Sequence, residues 1–221
     1  ALKGSSTTSL NSGTKNTAIG DSTMAGNKYG SSNVAIGNST MASNTWGDEN
    51  TAIGSGALFS NVANDGSTAI GYHAMYYTDN TTVGGSSTYS TAVGHEALKG
   101  STTAADNTGI YNTAIGYQSL TANSTGNSNS VLGFKALNQN TTGAYNTAVG
   151  SSSLLNNTTG SYNTAIGAYS MQSITSGSVN AIIGTYAGYN NTSGGNNVGI
   201  GYISIYNNVA NSRSTAIGYQ A

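Results

Sequence analysis

The tetrapeptide Thr-Ala-Ile-Gly, or a close variant that ends in a branched apolar residue and glycine, recurs twelve times. The glycine that ends each copy is called the motif glycine below. The motif glycines are Gly20, Gly37, Gly54, Gly71, Gly94, Gly116, Gly133, Gly150, Gly167, Gly184, Gly201 and Gly218. Their spacing is constant, as from Gly20 to Gly37, except for two longer intervals, Gly71 to Gly94 and Gly94 to Gly116. A period this regular predicts a repeat array with one structural unit per period.

Aligning the repeats on the motif glycine places residues of one chemical type in fixed columns. Nine copies have Ala two residues before it, eight have Thr three before it, and nine have Asn four before it. The Ile column, directly before the motif glycine, is branched and apolar in every copy and includes Ile19, Ile36, Ile53, Ile70, Ile115, Ile166 and Ile217. The Leu/Met column, four residues after the motif glycine, includes Leu58, Leu98, Leu120, Leu137 and Leu154.

This pattern predicts two short strands per repeat, a corner between them and a polar return segment. Ile and Leu/Met are five residues apart and would face opposite sides of a flat strand. We therefore expect a bend that turns both columns into one interior, so that Ile115→Asp or Ile166→Asp abolishes folding. Gly and Thr in every unit disfavour a helix. The sequence predicts an all-β fold, a parallel β-solenoid or β-roll, with one rung per 17-residue repeat and about 12 rungs, roughly 55–60 Å long.

A further column supports turns between the rungs. Seven residues before the motif glycine, nine copies have Gly. Because Gly accepts a positive φ without steric cost, this turn-Gly column predicts a left-handed backbone at that position.

The array is expected to occupy residues 1–221 as one domain, with longer rungs at 72–93 and 95–115. Ala1 and Ala221 fall at the same phase of the repeat. This phase predicts that the chain is a window of a longer array.

Composition excludes several function classes. Only 13 of the 221 residues are charged, the net charge is −1, and no cysteine is present. No basic field is available for nucleic acid, and neither a thiolate site nor a disulfide can form. His73 and His95 fall in different columns and have no partner pattern. We expect no catalytic, metal-binding or cofactor-binding residues, no cofactor, no membrane insertion and no enzyme activity.

Two assembly states fit a rung this small. Two large apolar side chains per rung contribute ~1.5–3 kcal/mol each, whereas ordering each of 17 backbone residues costs ~1 kcal/mol or more. Sharing the apolar columns around a threefold axis would enlarge the core. A homotrimeric rod is therefore favoured, and a single-chain solenoid stays open as the alternative.

Some repeats resemble a known class of fibre protein. Asn112-Thr113-Ala114-Ile115-Gly116 with Ser119-Leu120 is similar to the head repeats of trimeric autotransporter adhesins and to repeats of phage tail fibres and other extracellular fibres. The resemblance implies a left-handed parallel β-roll, trimeric in the adhesins, that acts as an adhesive head or spacer at a cell or virion surface. The expected partners are further copies of the chain and a host-surface glycan or receptor.

Other functions stay open beside this structural one. The rods could join end to end as an extracellular filament or matrix, or the solenoid could bind carbohydrate or ice. Ice binding is disfavoured because Thr shares the face of the Ile column and is expected inside. The candidate ligand contacts are Tyr72, Tyr117, Tyr145, Tyr162, Tyr89 and Asp79. A single local site would be expected in the longer loops around 79–90 and 102–111.

Overall fold

A computed structural model describes residues 12–78, 87–103 and 106–221 as a parallel β-solenoid. Twelve three-residue strands form one sheet in chain order among these residues. They are β1 (Thr17–Ile19), β2 (Val34–Ile36), β3 (Thr51–Ile53), β4 (Thr68–Ile70), β5 (Thr91–Val93), β6 (Thr113–Ile115), β7 (Ser130–Leu132), β8 (Thr147–Val149), β9 (Thr164–Ile166), β10 (Ala181–Ile183), β11 (Val198–Ile200) and β12 (Thr215–Ile217). The predicted all-β solenoid with its 17-residue rung is confirmed.

The register keeps equal columns stacked on one another. Thr17 pairs with Val34, and Ile19 pairs with Ile36. The two longer repeats preserve this register, since Thr91 still pairs with Thr113 although the interval between them is a longer one. The extra residues therefore lie in the return segments and leave the sheet unbroken.

The interior is lined by small residues facing the Leu/Met column. The alanines of the Ala column from Ala35 to Ala165 are fully buried, as are Leu58, Leu120, Leu137 and Leu154; Leu98 is also buried. The expectation that the Ile column lies inside is wrong for the single chain. Ile19, Ile53, Ile70, Ile115, Ile166 and Ile217 are exposed, and Ile36 is half-buried.

Strand alternation explains this correction. Side chains of a strand alternate between its two faces, so Asn and Ala point inward while Thr and Ile point outward. The bend at the motif glycine comes after Ile and does not turn the Ile side chain inward. The alternation of side chains along a flat strand gives the correct result, because Ile and Leu/Met are five residues apart and lie on opposite sides of the sheet.

The motif glycines are required by close contact between rungs. Their φ values lie between 126° and 147°, a region that L-residues rarely adopt. In all but the last, a Cβ would lie only 2.1–2.8 Å from the carbonyl oxygen of the next motif glycine. Any side chain would push two rungs apart.

The turn-Gly column has a different basis from the predicted one. None of its nine glycines has a positive φ, but a Cβ on each would lie 2.2–2.5 Å from a carbonyl oxygen of the next rung. The left-handed residue is two positions later, where Tyr145 has φ 58° and Tyr162 has φ 59°. Close approach, rather than conformational freedom, therefore selects glycine in this column.

Two buried columns of asparagine fill the rest of the interior. In the Asn column before each strand, the Asn33 side-chain amide donates to the Gly47 carbonyl at 2.8 Å, and its Oδ1 accepts from the Asn50 N–H at 2.9 Å. In the second Asn column, seven residues after the motif glycine, Asn44 donates to the Oδ1 of Asn27 at 2.7 Å and to the Gly47 carbonyl at 3.1 Å. Both columns join one rung to the next.

The second Asn column is interrupted where the sequence departs from Asn. Thr78 follows Asn61 in this column, and Ile174 follows Asn157. The Oδ1 atoms of Asn61 and Asn157 are buried without a hydrogen-bond partner. The ladder therefore depends on an unbroken run of amides, and each interruption leaves one acceptor unsatisfied.

Large and small residues exchange places in one rung. Ile182 occupies the Ala column while Gly188 occupies the Leu/Met column, and a Cβ on Gly188 would lie 3.4 Å from Cγ2 of Ile182. The next rung has the ordinary arrangement, with the small Gly199 in the Ala column and the large Ile205 in the Leu/Met column, and a Cβ on Gly199 would lie 3.1 Å from Cδ1 of Ile182. Each of these rungs thus keeps one large side chain facing one small residue, and the core stays filled.

We predict that Asn140→Leu lowers the stability although it makes the core more apolar. Asn140 is fully buried, accepts from Asn157 at 2.9 Å and donates to Asn123 at 2.8 Å. Without the Asn140 amide, the Oδ1 of Asn123 is buried with no donor, which lowers the free energy of unfolding by roughly 2 kcal/mol. Thermal unfolding followed by circular dichroism measures the effect. Asn156→Leu, a half-buried position in the corresponding turn of the next rung, is the control, and an equal loss in both variants would contradict the ladder.

We predict that Ile182 and Gly188 are energetically coupled. Ile182→Ala leaves a cavity and costs about 2–4 kcal/mol, and Gly188→Leu overpacks the same space. The double variant has the same pair of residues as ordinary rungs, such as the rung of Ala148 and Leu154. Its loss of unfolding free energy should be smaller, by about 1 kcal/mol or more, than the sum of the losses in the two single variants. Urea unfolding of all four proteins tests this, and simple additivity would refute it.

Candidate binding surfaces

The outward side chains of β1–β12 form one continuous face, named the Thr–Ile face. It consists of the residues of the Thr and Ile columns. Its apolar side chains are exposed or half-buried along the described solenoid; the exposed fraction is 58% at Ile19, 38% at Ile166 and 68% at Ile217. The interior behind it is already filled by Ala and Leu/Met, so these side chains have no further space within their own chain.

A ladder of aromatic rings follows the position after the motif glycine. Tyr72 stacks on His95 with ring centroids 5.0 Å apart, His95 on Tyr117 at 5.2 Å, and Tyr117 on Phe134 at 5.3 Å. The predicted contact residues Tyr72 and Tyr117 thus belong to one ladder. It borders the Thr–Ile face, because its residues continue the outward alternation of the strands.

A second group of rings borders the opposite side of the face. Tyr145 stacks on Tyr162 at 5.0 Å and Tyr89 on Tyr111 at 5.8 Å, all four at the left-handed position before the strands. Tyr89 therefore lies in a different stack from Tyr145 and Tyr162. Asp79 lies outside the described residues.

Two further stacked ring pairs were not among the contact residues predicted from the sequence. Tyr169 stacks on Tyr186 at 5.0 Å, and Tyr189 stacks on Tyr206 at 5.4 Å. The signal was available in the sequence, since the two rings of each pair are one repeat apart and occupy the same rung position.

Charged groups gather beside the first aromatic ladder. The Lys99 ammonium donates to Glu96 at 2.6 Å, and the Gln118 amide donates to the same carboxylate at 2.7 Å. These two hydrogen bonds, Lys99 first, hold the pKa of Glu96 below its ordinary value. Burial, reinforced by the charge of Lys99, lowers the pKa of His73.

A groove of about 760 Å³ opens where the longer rungs meet the next ordinary ones, and it is named the long-rung groove. Its lining residues are Tyr77, Lys99, Gly100, Ser101, Thr102, Asp106, Thr108, Thr121, Ala122, Ser124, Thr125 and Thr141. The groove includes part of the loop at 102–111 that the sequence pointed to. None of its residues belongs to β1–β12, so the groove is separate from the Thr–Ile face.

No group of three or more potential metal ligands occurs within residues 12–78, 87–103 and 106–221. Over the same residues, no helix has the length and apolar character needed to cross a membrane. Comparisons with family models, with curated proteins and with solved structures gave no match.

We predict that Glu96 contributes to a loss of stability in acid. Because its pKa is lowered in the folded chain, its contribution is present above the pKa of an unfolded glutamate and is lost as the pH falls through the lower, folded-state value. Glu96→Gln should therefore reduce the fall in melting temperature between pH 5 and pH 2.5, by ~1–2 °C because the ion pair is only partly buried and solvent screens it. Glu49→Gln is the control, and equal acid sensitivity in both variants would contradict the prediction.

Proposed function

We propose that the chain is a non-catalytic structural segment of an extracellular fibre, an adhesin head or a tail-fibre shaft at a cell or virion surface. The observation that carries this proposal is the Thr–Ile face. Among the twelve described strands, the branched apolar side chain of the Ile column is exposed in nine and half-buried in three, and the interior has no room for it. Contiguous apolar surface of this extent is typical of an interaction site.

The proposed partner for this face is further copies of the same chain, arranged as a homotrimer. A parallel threefold arrangement places equal rungs at equal heights, so that each Ile meets the Ile of another copy. Covering one such half-exposed side chain contributes roughly 0.5–1.5 kcal/mol, and the contribution repeats with every rung. Closed rotational symmetry leaves no copy with an uncovered face.

The resemblance of the repeats to adhesin head repeats supports the same assembly. In those proteins the β-roll is left-handed and trimeric, and we propose both properties for this chain. A host-surface glycan or receptor is the proposed partner outside the fibre. End-to-end growth into a filament or matrix is the alternative assembly, since every rung presents the same stacking pattern.

Ice binding is the alternative from a different class, and one observation favours it. The Thr column lies on the outer face beside Ile at the rung spacing; Thr17, Thr113 and Thr215 are exposed, and its other threonines are half-buried. The reason for disfavouring ice, an interior Thr column, therefore no longer holds. The rings of Tyr145 and Tyr162 on one border and Tyr117 and Phe134 on the other weigh against it, because they interrupt a flat surface.

We predict that the native chain has a solution mass of three times 22.1 kDa, about 66 kDa, at all concentrations. Ile115→Asp with Ile166→Asp places unpaired charges on the Thr–Ile face and should reduce the mass to that of one chain. The β-sheet circular dichroism should persist, because both positions lie outside the core. Light scattering after gel filtration measures the mass.

Thr159→Asp, which is exposed on the return segment, is the matched control and should remain trimeric. A single-chain mass for the native protein would refute the trimer, as would a double variant that keeps the threefold mass. A mass that grows with concentration would favour the filament. A single-chain mass with shaped ice crystals would favour ice binding.

A further inference from the structure

We propose that the long-rung groove binds a neutral saccharide. The groove lies beside a longer repeat, whose additional residues fall between Gly100 and Gly109, since these two glycines keep the hydrogen bonds to the next rung that their counterparts make in ordinary repeats. Its volume of about 760 Å³ falls within the usual range for small-ligand sites, ~300–1,000 Å³.

Ser101 and Asn107, on the two sides of the groove's longer loop, are held in place before any ligand arrives. The buried Asn107 accepts from the N–H of Ser101 at 2.8 Å and donates to the Ser101 carbonyl, also at 2.8 Å. It also donates to the Tyr77 carbonyl. One amide thus ties the loop to the preceding rung, and a formed site needs less ordering on binding.

Gly100 brings the two sides of this clamp together. Its φ is 84°, and a Cβ would lie 2.6 Å from the Tyr77 carbonyl oxygen and 2.8 Å from the Asn107 amide nitrogen. Its N–H donates to the Thr121 carbonyl at 3.0 Å, which fixes the floor to the following rung.

The opposite wall is equally fixed. The Ser124 N–H donates to the Thr141 carbonyl at 2.9 Å, and the Thr141 hydroxyl donates to the Thr158 carbonyl at 3.0 Å. Both walls are therefore anchored to neighbouring rungs, and the groove between them is a defined shape.

The unused hydrogen-bonding groups in the groove match a polyol. Thr102, Thr108 and Thr125 are exposed, and their hydroxyls have no partner within the described part of the chain; the same is true of the Asp106 carboxylate. A carboxylate can accept from two adjacent sugar hydroxyls, and threonine hydroxyls can both donate and accept. These groups cover the hydrogen-bonding requirements of a carbohydrate.

Tyr77 adds an aromatic surface to this polar set. Its ring is held edge-on to Tyr76 with centroids 4.7 Å apart. An aromatic ring offers an apolar face and a polar tip, which suits the C–H-rich face and the hydroxyl rim of a sugar.

Charge selects a neutral ligand over an anionic one. Lys99 is the cation of the groove, and its ammonium is 2.6 Å from a Glu96 oxygen and so is already paired. Asp106 adds a free negative charge. A phosphate, a sulfated sugar or a nucleotide would meet no free cation and one carboxylate.

The test uses the native chain on a printed array of neutral di- to tetrasaccharides, with sialylated and sulfated saccharides on the same array. We expect binding to at least one neutral saccharide, with a Kd of about 0.1–1 mM by calorimetry. Asp106→Ala and Thr125→Val should each weaken it at least tenfold. Both side chains are exposed and make no internal hydrogen bond within the described residues, so these variants should fold.

Matched controls lie elsewhere on the solenoid. Thr159→Val changes the same rung position as Thr125 two rungs further along, and Glu49→Ala removes an exposed carboxylate; neither should alter binding. No binding on the neutral array would overturn the proposal. Equal binding by the groove variants, or binding confined to anionic saccharides, would also overturn it.

The outcome is independent of the trimer. The Ile115→Asp, Ile166→Asp double variant should bind the same saccharide as the native chain, because the groove and the Thr–Ile face share no residue.

Discussion

The distance between successive backbones is the constraint on which the whole structure depends. Where a motif glycine would carry a Cβ, the carbonyl oxygen of the next motif glycine is only 2.1–2.8 Å away. The turn-Gly column meets the same limit at a second point of the rung. Two contacts without side chains let every rung approach its neighbour at ladder spacing, about 4.8 Å. The repeat therefore requires glycine at these two positions, where the next rung leaves no space for a Cβ.

At this spacing, the interior contains apolar residues that pack together and asparagines that form hydrogen bonds with the backbone. Ala and Leu/Met exclude water from one half of the rung, while asparagines satisfy the backbone of the other half. The carbonyl of a turn glycine such as Gly47 accepts from Asn44 and from Asn33. Few charged residues are compatible with this design, because like charges stacked in neighbouring rungs would repel one another.

The sequence was sufficient for the parts of the structure that repeat. The 17-residue rung, the parallel sheet and the buried Leu/Met column follow from periodicity, since stacked columns must be chemically uniform. The orientation of Ile was not predictable in this way, because an apolar residue at a wall can serve an interior or an interface. The basis of the turn-Gly column also required coordinates, because a forbidden Cβ and a positive φ select the same residue. The long-rung groove was foreseen only as a location, since its shape depends on how Asn107 and Gly100 fold one irregular loop.

The interrupted amide ladder has a mechanical consequence. A force along the solenoid axis acts on every contact between neighbouring rungs. The two rungs joined by the fewest hydrogen bonds therefore separate first. Between Asn61 and Thr78 the side-chain bond of the second Asn column is missing, and the adjoining rungs carry Ser67 and Ser90 in place of Asn in the other column. At Ile174 only the second Asn column is interrupted, so of the two junctions the one between the Asn61 and Thr78 rungs has fewer side-chain bonds. Under axial load the solenoid would separate at this junction before it did at Ile174.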